Sequence, residues 1–195
     1  MDGDHHILEK VKKGDVNAFA EIVQKHQRPL ICVLLRMVGD LELAEDIAQE
    51  AFMKAYTKLE SFQGRSKFKS WLFQIGINTA KNRLRSRKRE VVDIQKVRLS
   101  VGEHQDLEIG QKDVQGTLSD EIGKLPPKQR LALSLRIYED LSFAEIAEIM
   151  KCPYDTAKAN YRHALMKLRH KLGKSMDLKD WTVNNIHHRT VEADI

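Results

Sequence analysis

Aromatic and cationic residues lie close together in the middle of the 195-residue chain, and side chains of these two kinds suit the binding of nucleic acid. Phe62 precedes a small cationic loop, residues 64–67 (Gly-Arg-Ser-Lys), and the helix predicted after this loop ends in a polycation, residues 78–89. An aromatic ring can stack on an exposed base while lysine and arginine hold the phosphates beside it. We therefore expect this stretch to bind a strand with unpaired bases. The alternatives are that the polycation is a solvated helix face, that the loop is a helix-capping turn and that Trp71 occupies a core position.

A second basic surface is predicted near the carboxyl end. Ser142 and Glu145 form a capping-box pattern at the start of a short helix, residues 151–153 (Lys-Cys-Pro) make a tight turn, and a longer basic helix runs to about residue 172. These are the parts of a helix-turn-helix, whose second helix lies in the major groove of DNA. The alternative is a solvated basic helix in a helical bundle.

The third surface is acidic and lies on the helix predicted for residues 41–60. Apolar residues recur along this helix at i, i+3, i+4 and i+7, so one stripe is predicted to be buried. The stripe consists of Ala44, Ile47, Ala48, Ala51, Phe52, Ala55, Tyr56 and Leu59. The opposite side, which we call the acidic face, consists of Glu42, Glu45, Asp46, Gln49, Glu50 and Met53. Because the chain has a formal net charge of +5, a concentrated acidic face indicates a second kind of partner besides an anionic one.

Helices must position all three surfaces, because helical periodicity recurs along the chain and strand signals are nearly absent. We expect a helix over residues 16–38 that Gly39 ends, and an N-cap at Asp40 for the acidic helix. A third helix, residues 67–89, is expected to be capped by Ser66.

The charge pattern changes abruptly after this third helix. Residues 64–90 contain nine Lys or Arg and one acidic residue, whereas residues 99–123 contain six Asp or Glu and one Lys. The acidic stretch contains glycines and lacks a sustained apolar stripe, which is typical of a linker. The predicted fold is therefore all-α, with two small helical domains joined by a flexible acidic linker. In order, the predicted parts are the domain 7–92, the linker 93–116, the domain 117–174 and a tail, 175–195, with no assigned role.

The composition argues against several classes of protein. No apolar run reaches the ~18 residues that a membrane-spanning helix needs, and the amino terminus lacks a signal-peptide pattern, so we expect a cytoplasmic protein without membrane insertion. Cys32 and Cys152 are the only cysteines, which excludes a disulfide framework. His163 and His170 lie about 10 Å apart along a helix, too far to share one metal ion without other ligands. Since phosphate-loop and nucleophile motifs are also absent, we expect no metal, no cofactor and no enzymatic activity.

Several motifs occur together in the order of one known family. They are residues 46–56 (Asp-Ile-Ala-Gln-Glu-Ala-Phe-Met-Lys-Ala-Tyr), 62–75, 78–82 (Asn-Thr-Ala-Lys-Asn), 125–130 (Leu-Pro-Pro-Lys-Gln-Arg) and 141–147 (Leu-Ser-Phe-Ala-Glu-Ile-Ala). The chain thereby resembles the extracytoplasmic-function (ECF), sigma-E-like group of bacterial RNA polymerase sigma factors, within the sigma-70 family. The resemblance covers both predicted domains.

The resemblance implies a role for each surface. The acidic face would bind a coiled coil of the polymerase β′ subunit, which assigns Asp46, Gln49, Glu50 and Met53 to polymerase binding. The loop would accept a base from the melted minus-10 strand, and the helix after it would contact the non-template strand. The residues so assigned are Phe62, Gly64, Arg65, Ser66 and Lys67 for the base, and Asn78, Lys81 and Asn82 for the strand. The second helix of the helix-turn-helix would read the minus-35 element through Lys158, Ala159, Arg162 and His163.

The resemblance also implies partners. These are core RNA polymerase, through its β′ and β subunits, promoter DNA, and an anti-sigma factor, which in this family is often a membrane protein. Polymerase would supply catalysis, while this chain would direct promoter recognition, DNA melting and initiation. The alternative function is a stand-alone helix-turn-helix regulator that binds duplex DNA as a dimer, in which the acidic face has no task.

Overall fold

Helices make up the regular structure of residues 4–92 and 114–172, which are the residues that the computed structural model describes. In order they are α1 (Asp4–Lys12), α2 (Ala18–Val38), α3 (Leu41–Thr57), α4 (Phe68–Val92), α5 (Val114–Gly123), α6 (Pro127–Ile137), α7 (Phe143–Met150) and α8 (Tyr154–Leu172), with a short 3₁₀ helix at Leu59–Ser61. They divide into two units, α1 to α4 and α5 to α8. The all-α prediction is confirmed for these residues, and none of their helices is both long and apolar enough to cross a membrane.

Local hydrogen bonds set the junction between α2 and α3. Gly39 ends α2 in the left-handed conformation, with φ +74°, and its N–H donates to the Leu35 carbonyl at 2.8 Å. The Asp40 side chain accepts a hydrogen bond from the Leu43 N–H at 3.0 Å and thereby caps α3. Both features are predicted from the sequence, and both predictions are confirmed.

The core of the first unit lies where α2, α3 and α4 meet. Its large, fully buried side chains include Ile22, Leu30, Val33, Leu34, Ile47, Leu72, Phe73 and Ile77. Gly76 of α4 lies at a tight approach, since a Cβ at this position would be 2.9 Å from Cδ1 of Leu30 and 3.7 Å from Cβ of Ala51. A residue without a side chain therefore allows the three helices to pack this closely.

The buried stripe of α3 differs from the prediction at two residues, because Leu43 is buried although the predicted stripe does not include it, and Tyr56 is exposed. Tyr56 is 40% exposed, whereas the other residues of the predicted stripe are buried. Phe52 and Leu59 already fill the core at this end of the helix. The Tyr56 ring therefore packs at the rim, edge-on against Phe19 with 5.1 Å between ring centroids.

Helix α1 is not predicted from the sequence. Leu8 and Val11 are buried, and the carboxylate of Asp4 is buried as well. At the other end of α1, Lys12 Nζ donates to the Phe62 carbonyl at 3.4 Å. Helix α1 thus packs on α2 and reaches the loop that precedes α4.

The second unit has an apolar core shared by α5, α6 and α8. This core contains Leu118, Ile122, Leu125, Leu133, Ile137, Ala164 and Leu168. Helix α6 begins at Pro127, in the position that favours proline, as predicted. Helix α5 begins at Val114, inside the stretch predicted as linker, because Leu118 and Ile122 give this short segment one apolar face. The rest of the predicted linker and the predicted tail lie outside the described residues.

Candidate nucleic-acid interface

The acidic face of α3 lies on the side of the helix away from the core. Asp46 and Gln49 are exposed, and so are Glu42 and Glu45. Met53 is 71% exposed, which places a large apolar side chain at the end of a row of polar ones. A partner that covers this face therefore meets carboxylates, an amide and one apolar side chain.

Glu50 differs from the rest of the acidic face, because its carboxylate is bound within the unit. Lys54 Nζ donates to Oε1 of Glu50 at 2.6 Å, and Arg83 of α4 donates to Oε2 from Nη2 at 2.9 Å and from Nε at 3.3 Å. The hydrogen bonds from Lys54 and Arg83 lower the pKa of Glu50, which keeps the carboxylate charged. Its side chain is only 32% exposed. The structure therefore directs Glu50 toward α4 and does not leave it open like Asp46.

A shallow recess lies at the loop before α4. It has a volume of about 180 Å³ and is lined by Ser61, Phe62, Gln63, Arg65, Ser66 and Trp71. Gly64 turns the loop with φ +68°, a left-handed conformation that favours glycine. Arg65 and Lys67 are exposed next to it. Because α4 begins at Phe68, Lys67 occupies the cap position predicted for Ser66, and its carbonyl accepts the Trp71 N–H at 3.2 Å.

The aromatic rings of Phe62 and Trp71 form one wall of this recess, and the buried ring of Phe68 packs against both. The Phe62 ring lies 5.0 Å from Trp71 and 5.7 Å from Phe68, and Phe68 lies 5.7 Å from Trp71, between centroids in each case. Phe68 is buried, whereas Phe62 and Trp71 are half-buried. The sequence places Trp71 among the aromatic residues beside the loop and favours a core position for it, whereas the structure shows that its half-buried ring also lines the recess. The signal that points to this lining role is its position one turn after Phe68, next to an aromatic loop residue.

Asn78 and Asn82 continue along the same face of α4 as Trp71. Residues seven apart on an α helix differ by only about 20° in direction, and residues four apart by about 40°. Trp71 and Asn78 are therefore about 10 Å apart along the axis on one side of the helix. Lys81 lies at the edge of this strip and is half-buried, whereas Asn82 is exposed. The structure thus brings the predicted strand contacts into line with one wall of the recess.

In the second unit, α7 and α8 have the predicted helix-turn-helix arrangement. Ser142 N–H donates to Oε2 of Glu145 at 2.8 Å, and Glu145 N–H donates to Oγ of Ser142 at 3.3 Å, which completes the capping box. Lys151 ends α7 with φ +54°, and α8 starts three residues later at Tyr154. Phe143 of α7 packs against the Tyr161 ring of α8 with 5.4 Å between centroids, which holds the two helices together.

Helix α8 presents a basic side opposite its buried side. Ala157, Ala164 and Leu168 are buried in the unit. The four residues assigned to the minus-35 element form two pairs of sequence neighbours, one helical turn apart, and three of the four are exposed. The exposed residues are Lys158, Arg162 and His163, and the half-buried one is Ala159. This side of α8 therefore presents two long cationic side chains, an imidazole and a small apolar group, which are side chains of the kinds that can contact base edges.

Comparisons with known proteins cover both units. The model for Sigma-70 region 2 matches residues 22–90, and the model for Sigma-70, region 4 matches residues 115–168. The RNA polymerase sigma-H factor of Pseudomonas aeruginosa is 38% identical over 167 residues, which cover 80% of this chain and 86% of that protein. The ECF RNA polymerase sigma-E factor of Haemophilus influenzae is 33% identical over 180 residues, which cover 87% of this chain and 95% of that protein.

A solved structure gives the same result. The sigma factor RpoE, crystallised with the anti-sigma factor NepR from Bartonella quintana, matches 83% of this chain and 100% of its own, with a TM-score of 0.74 and 27% identity. A stand-alone regulator is not favoured, because both units match sigma-factor models, the first unit Sigma-70 region 2 and the second unit Sigma-70, region 4. The chain therefore belongs to the ECF group of the sigma-70 family of RNA polymerase sigma factors, which direct promoter-dependent initiation of transcription.

Proposed function

We propose that the two units divide the work of this sigma factor, the first binding core polymerase and the minus-10 strand and the second binding the minus-35 duplex. The proposed domains are residues 7–92 and 117–174, joined by the linker 93–116. One observation carries the proposal. The first unit has an acidic face on α3 and an aromatic, cationic recess before α4, two surfaces suited to partners of opposite charge. The protein acts in the cytoplasm and catalyses no reaction itself.

The acidic face binds the β′ subunit of polymerase in this proposal. Asp46, Gln49 and Met53 are spaced at i, i+3 and i+7, so they lie along one side of α3 and are all exposed. A row of this kind fits a partner helix with basic and apolar side chains. Glu50 shares the sequence-based assignment to this contact, although its carboxylate is bonded to Lys54 and Arg83.

The recess takes a base that is flipped out of the minus-10 element. The base stacks on Phe62 or Trp71 at the aromatic wall, while Arg65 and Lys67 hold neighbouring phosphates, and Gly64 and Ser66 shape the turn. The strand then follows α4 along Asn78, Lys81 and Asn82. Stacking on a protein aromatic ring contributes about 1–3 kcal/mol per base, which offsets the few kcal/mol lost when the base leaves the duplex. Melting of the promoter follows from this balance.

The second unit reads the minus-35 duplex with α8. Lys158, Ala159, Arg162 and His163 enter the major groove, while the capped helix α7 fixes the approach angle. An anti-sigma factor is a further proposed partner. Support comes from the RpoE structure, which contains the anti-sigma factor NepR.

Reconstitution with core polymerase tests this function. The full chain with core enzyme should give run-off transcripts from promoter DNA, and the chain alone should bind the same duplex weakly. The double variant Asp46→Asn with Gln49→Ala should bind core polymerase about tenfold more weakly, which corresponds to ~1.4 kcal/mol. Glu21→Gln, at an exposed position of α2, is the matched control. Unchanged polymerase affinity of the double variant would show that the acidic face is not the binding surface.

A further inference from the structure

Helix α4 extends beyond the core that holds its first half. Side chains of α4 are buried as far as Ala80, whereas residues 82–86 are all exposed. A helix end with few buried apolar contacts has low local stability, so polar contacts decide how firmly it is held. The strand-binding residues Asn78, Lys81 and Asn82 lie at this transition.

One group of ion pairs joins this part of α4 to α3. Arg83 donates two hydrogen bonds to Oε2 of Glu50, at 2.9 and 3.3 Å. Lys54 donates to Oε1 of Glu50 at 2.6 Å and to Oγ1 of Thr79 at 3.1 Å. Both oxygens of Glu50 are therefore occupied by cations of its own unit, and about one turn of α4, from Thr79 to Arg83, is tied to about one turn of α3.

Arg83 lies on the side of α4 that faces α3. Gly76, Thr79 and Arg83 are spaced at i, i+3 and i+7, and Gly76 approaches α3 at Ala51. The neighbouring residue Asn82 is rotated by about 100° from Arg83, which places it toward the strand-binding side. Because the helix is a rigid element over one turn, a contact that fixes the direction of Arg83 also fixes the direction of Asn82.

We propose that Glu50 and Arg83 are positioning residues that hold the strand-binding side of α4 in place, and that Glu50 acts through Arg83 and not by contact with polymerase. The inference rests on the proposed role of α4 in binding an unpaired strand. It reassigns one residue of the acidic face, since the Glu50 carboxylate is directed to α4 while Asp46 and Gln49 stay open. We call the ion pair between Glu50 and Arg83 the tether. Without the tether, α4 still folds, but the strip of Asn78, Lys81 and Asn82 is no longer held in one orientation relative to the recess.

A pure charge effect and a loss of positioning predict opposite changes in the affinity of Glu50→Gln for single-stranded DNA. Removal of a carboxylate near a polyanion strengthens binding if only the charge matters. Loss of the tether weakens binding. The probe is a fluorescein-labelled oligo-dT of about 12 nucleotides, a length typical of single-strand sites, titrated with the full chain and followed by anisotropy. We expect Glu50→Gln to bind about threefold more weakly, the effect of one partly exposed ion pair.

Glu60→Gln is the matched control for this charge change. Glu60 is an exposed carboxylate next to Ser61 of the recess, so its removal changes the same charge near the same site without touching the tether. We expect Glu60→Gln to bind the probe as tightly as the wild type or more tightly. Equal behaviour of the Glu50 and Glu60 variants would overturn the proposal.

A double-mutant cycle tests whether Glu50 acts through Arg83. Arg83→Gln should weaken probe binding, and addition of Glu50→Gln should cause no further loss, because the tether is already gone. Arg83→Lys, which keeps a cation for Glu50, should restore most of the affinity. Additive losses, or failure of lysine to restore binding, would contradict the positioning role. Equal melting temperatures by circular dichroism show that the variants are folded.

Polymerase affinity, measured in parallel, separates this inference from the proposed function. Glu50→Gln should bind core polymerase within about twofold of the wild type, whereas Asp46→Asn should bind more weakly. A Glu50 variant that loses polymerase affinity and keeps probe affinity would overturn the inference and leave the proposed function intact. If the wild-type chain fails to bind polymerase, the proposed function is wrong, while the mutant cycle still reports on the tether.

Discussion

Oδ2 of Asp4 lies 2.8 Å from Nε2 of His26, and the two residues are only 2% and 4% exposed. Lys25 adds a hydrogen bond of 2.6 Å to the other carboxylate oxygen. Burial alone would raise the pKa of Asp4, but the bonds from His26 and Lys25 outweigh it and lower the pKa to about 2. Helix α1 is therefore anchored to α2 by a carboxylate that stays charged although it is out of water.

This anchor predicts that the first unit loses stability in acid. A carboxyl group whose pKa is lower in the folded than in the unfolded state stabilises the fold above its unfolded pKa, about 3.8, and the contribution is lost as the pH falls toward 2. Asp4→Asn should lower the free energy of unfolding by about 1–3 kcal/mol above pH 4. Urea titrations followed by circular dichroism measure this difference, which should shrink as the pH falls to about 2. A difference that does not change with pH would contradict the charged state of Asp4.

Substitution of Gly64 tests whether the left-handed conformation of the loop is needed for activity. Its φ of +68° costs a residue with a Cβ about 1–2 kcal/mol, and a Cβ at this position would have no atom within 4 Å, so the cost is conformational and not steric. Gly64→Ala should therefore reduce run-off transcription severalfold and leave polymerase affinity unchanged. Gly64→Asn should retain more activity, because asparagine tolerates the left-handed conformation. Equal losses in both variants would show that the backbone angle is not the reason.

Substitution of Trp71 tests whether a base stacks on the wall of the recess. Trp71→Ala should weaken binding of the oligo-dT probe by about 1–3 kcal/mol, since it removes one ring from the wall of the recess. Trp71→Phe keeps an aromatic face and should retain most of the affinity. Melting curves for both variants separate loss of stacking from loss of packing against Phe62 and Phe68. Wild-type probe affinity of the alanine variant would mean that the recess does not receive a base.

Substitution of Arg162 tests whether this side chain contributes to the sequence preference for duplex DNA. With the full holoenzyme and a minus-35 duplex selected from a random pool, Arg162→Ala should cost about 1–3 kcal/mol and reduce discrimination at one base position. Arg169→Ala removes the same charge from the flank of α8. It should weaken all duplexes alike and lower the salt slope by about one. The same uniform effect from Arg162→Ala would place that side chain on a phosphate.

Features that depend on nearby residues can be predicted from this sequence. Gly39 and Asp40 mark the junction of α2 and α3, and Ser142 with Glu145 marks the start of α7, because each makes its hydrogen bond within four residues. The buried stripe of α3 follows from periodicity in the same way. These local signals were sufficient to place the acidic face of α3 and the basic side of α8 on the exposed sides of the two helices.

Contacts between distant residues account for what the sequence did not reveal. The partner of Asp4 is 22 residues away, so nothing near Asp4 indicates that a charged residue anchors α1. Glu50 looks like any other member of the acidic face until Arg83, 33 residues later, is seen to bind it. Trp71 fits the apolar stripe of α4, and only the position of Phe62 shows that its ring also lines a recess. Tertiary packing decides each of these cases.

The alignment of Trp71 and Asn78 on one face of α4 gives the first unit a fixed measure of length. An α helix hardly stretches, so the separation of about 10 Å between the wall of the recess and the first amide of the strip is constant. A strand bound at both places has to adjust its own path to this distance. Insertion of a single residue between them would also turn one site by about 100° away from the other. In the proposed complex, the helix therefore sets which nucleotides along an opened strand reach the recess, whatever their bases are.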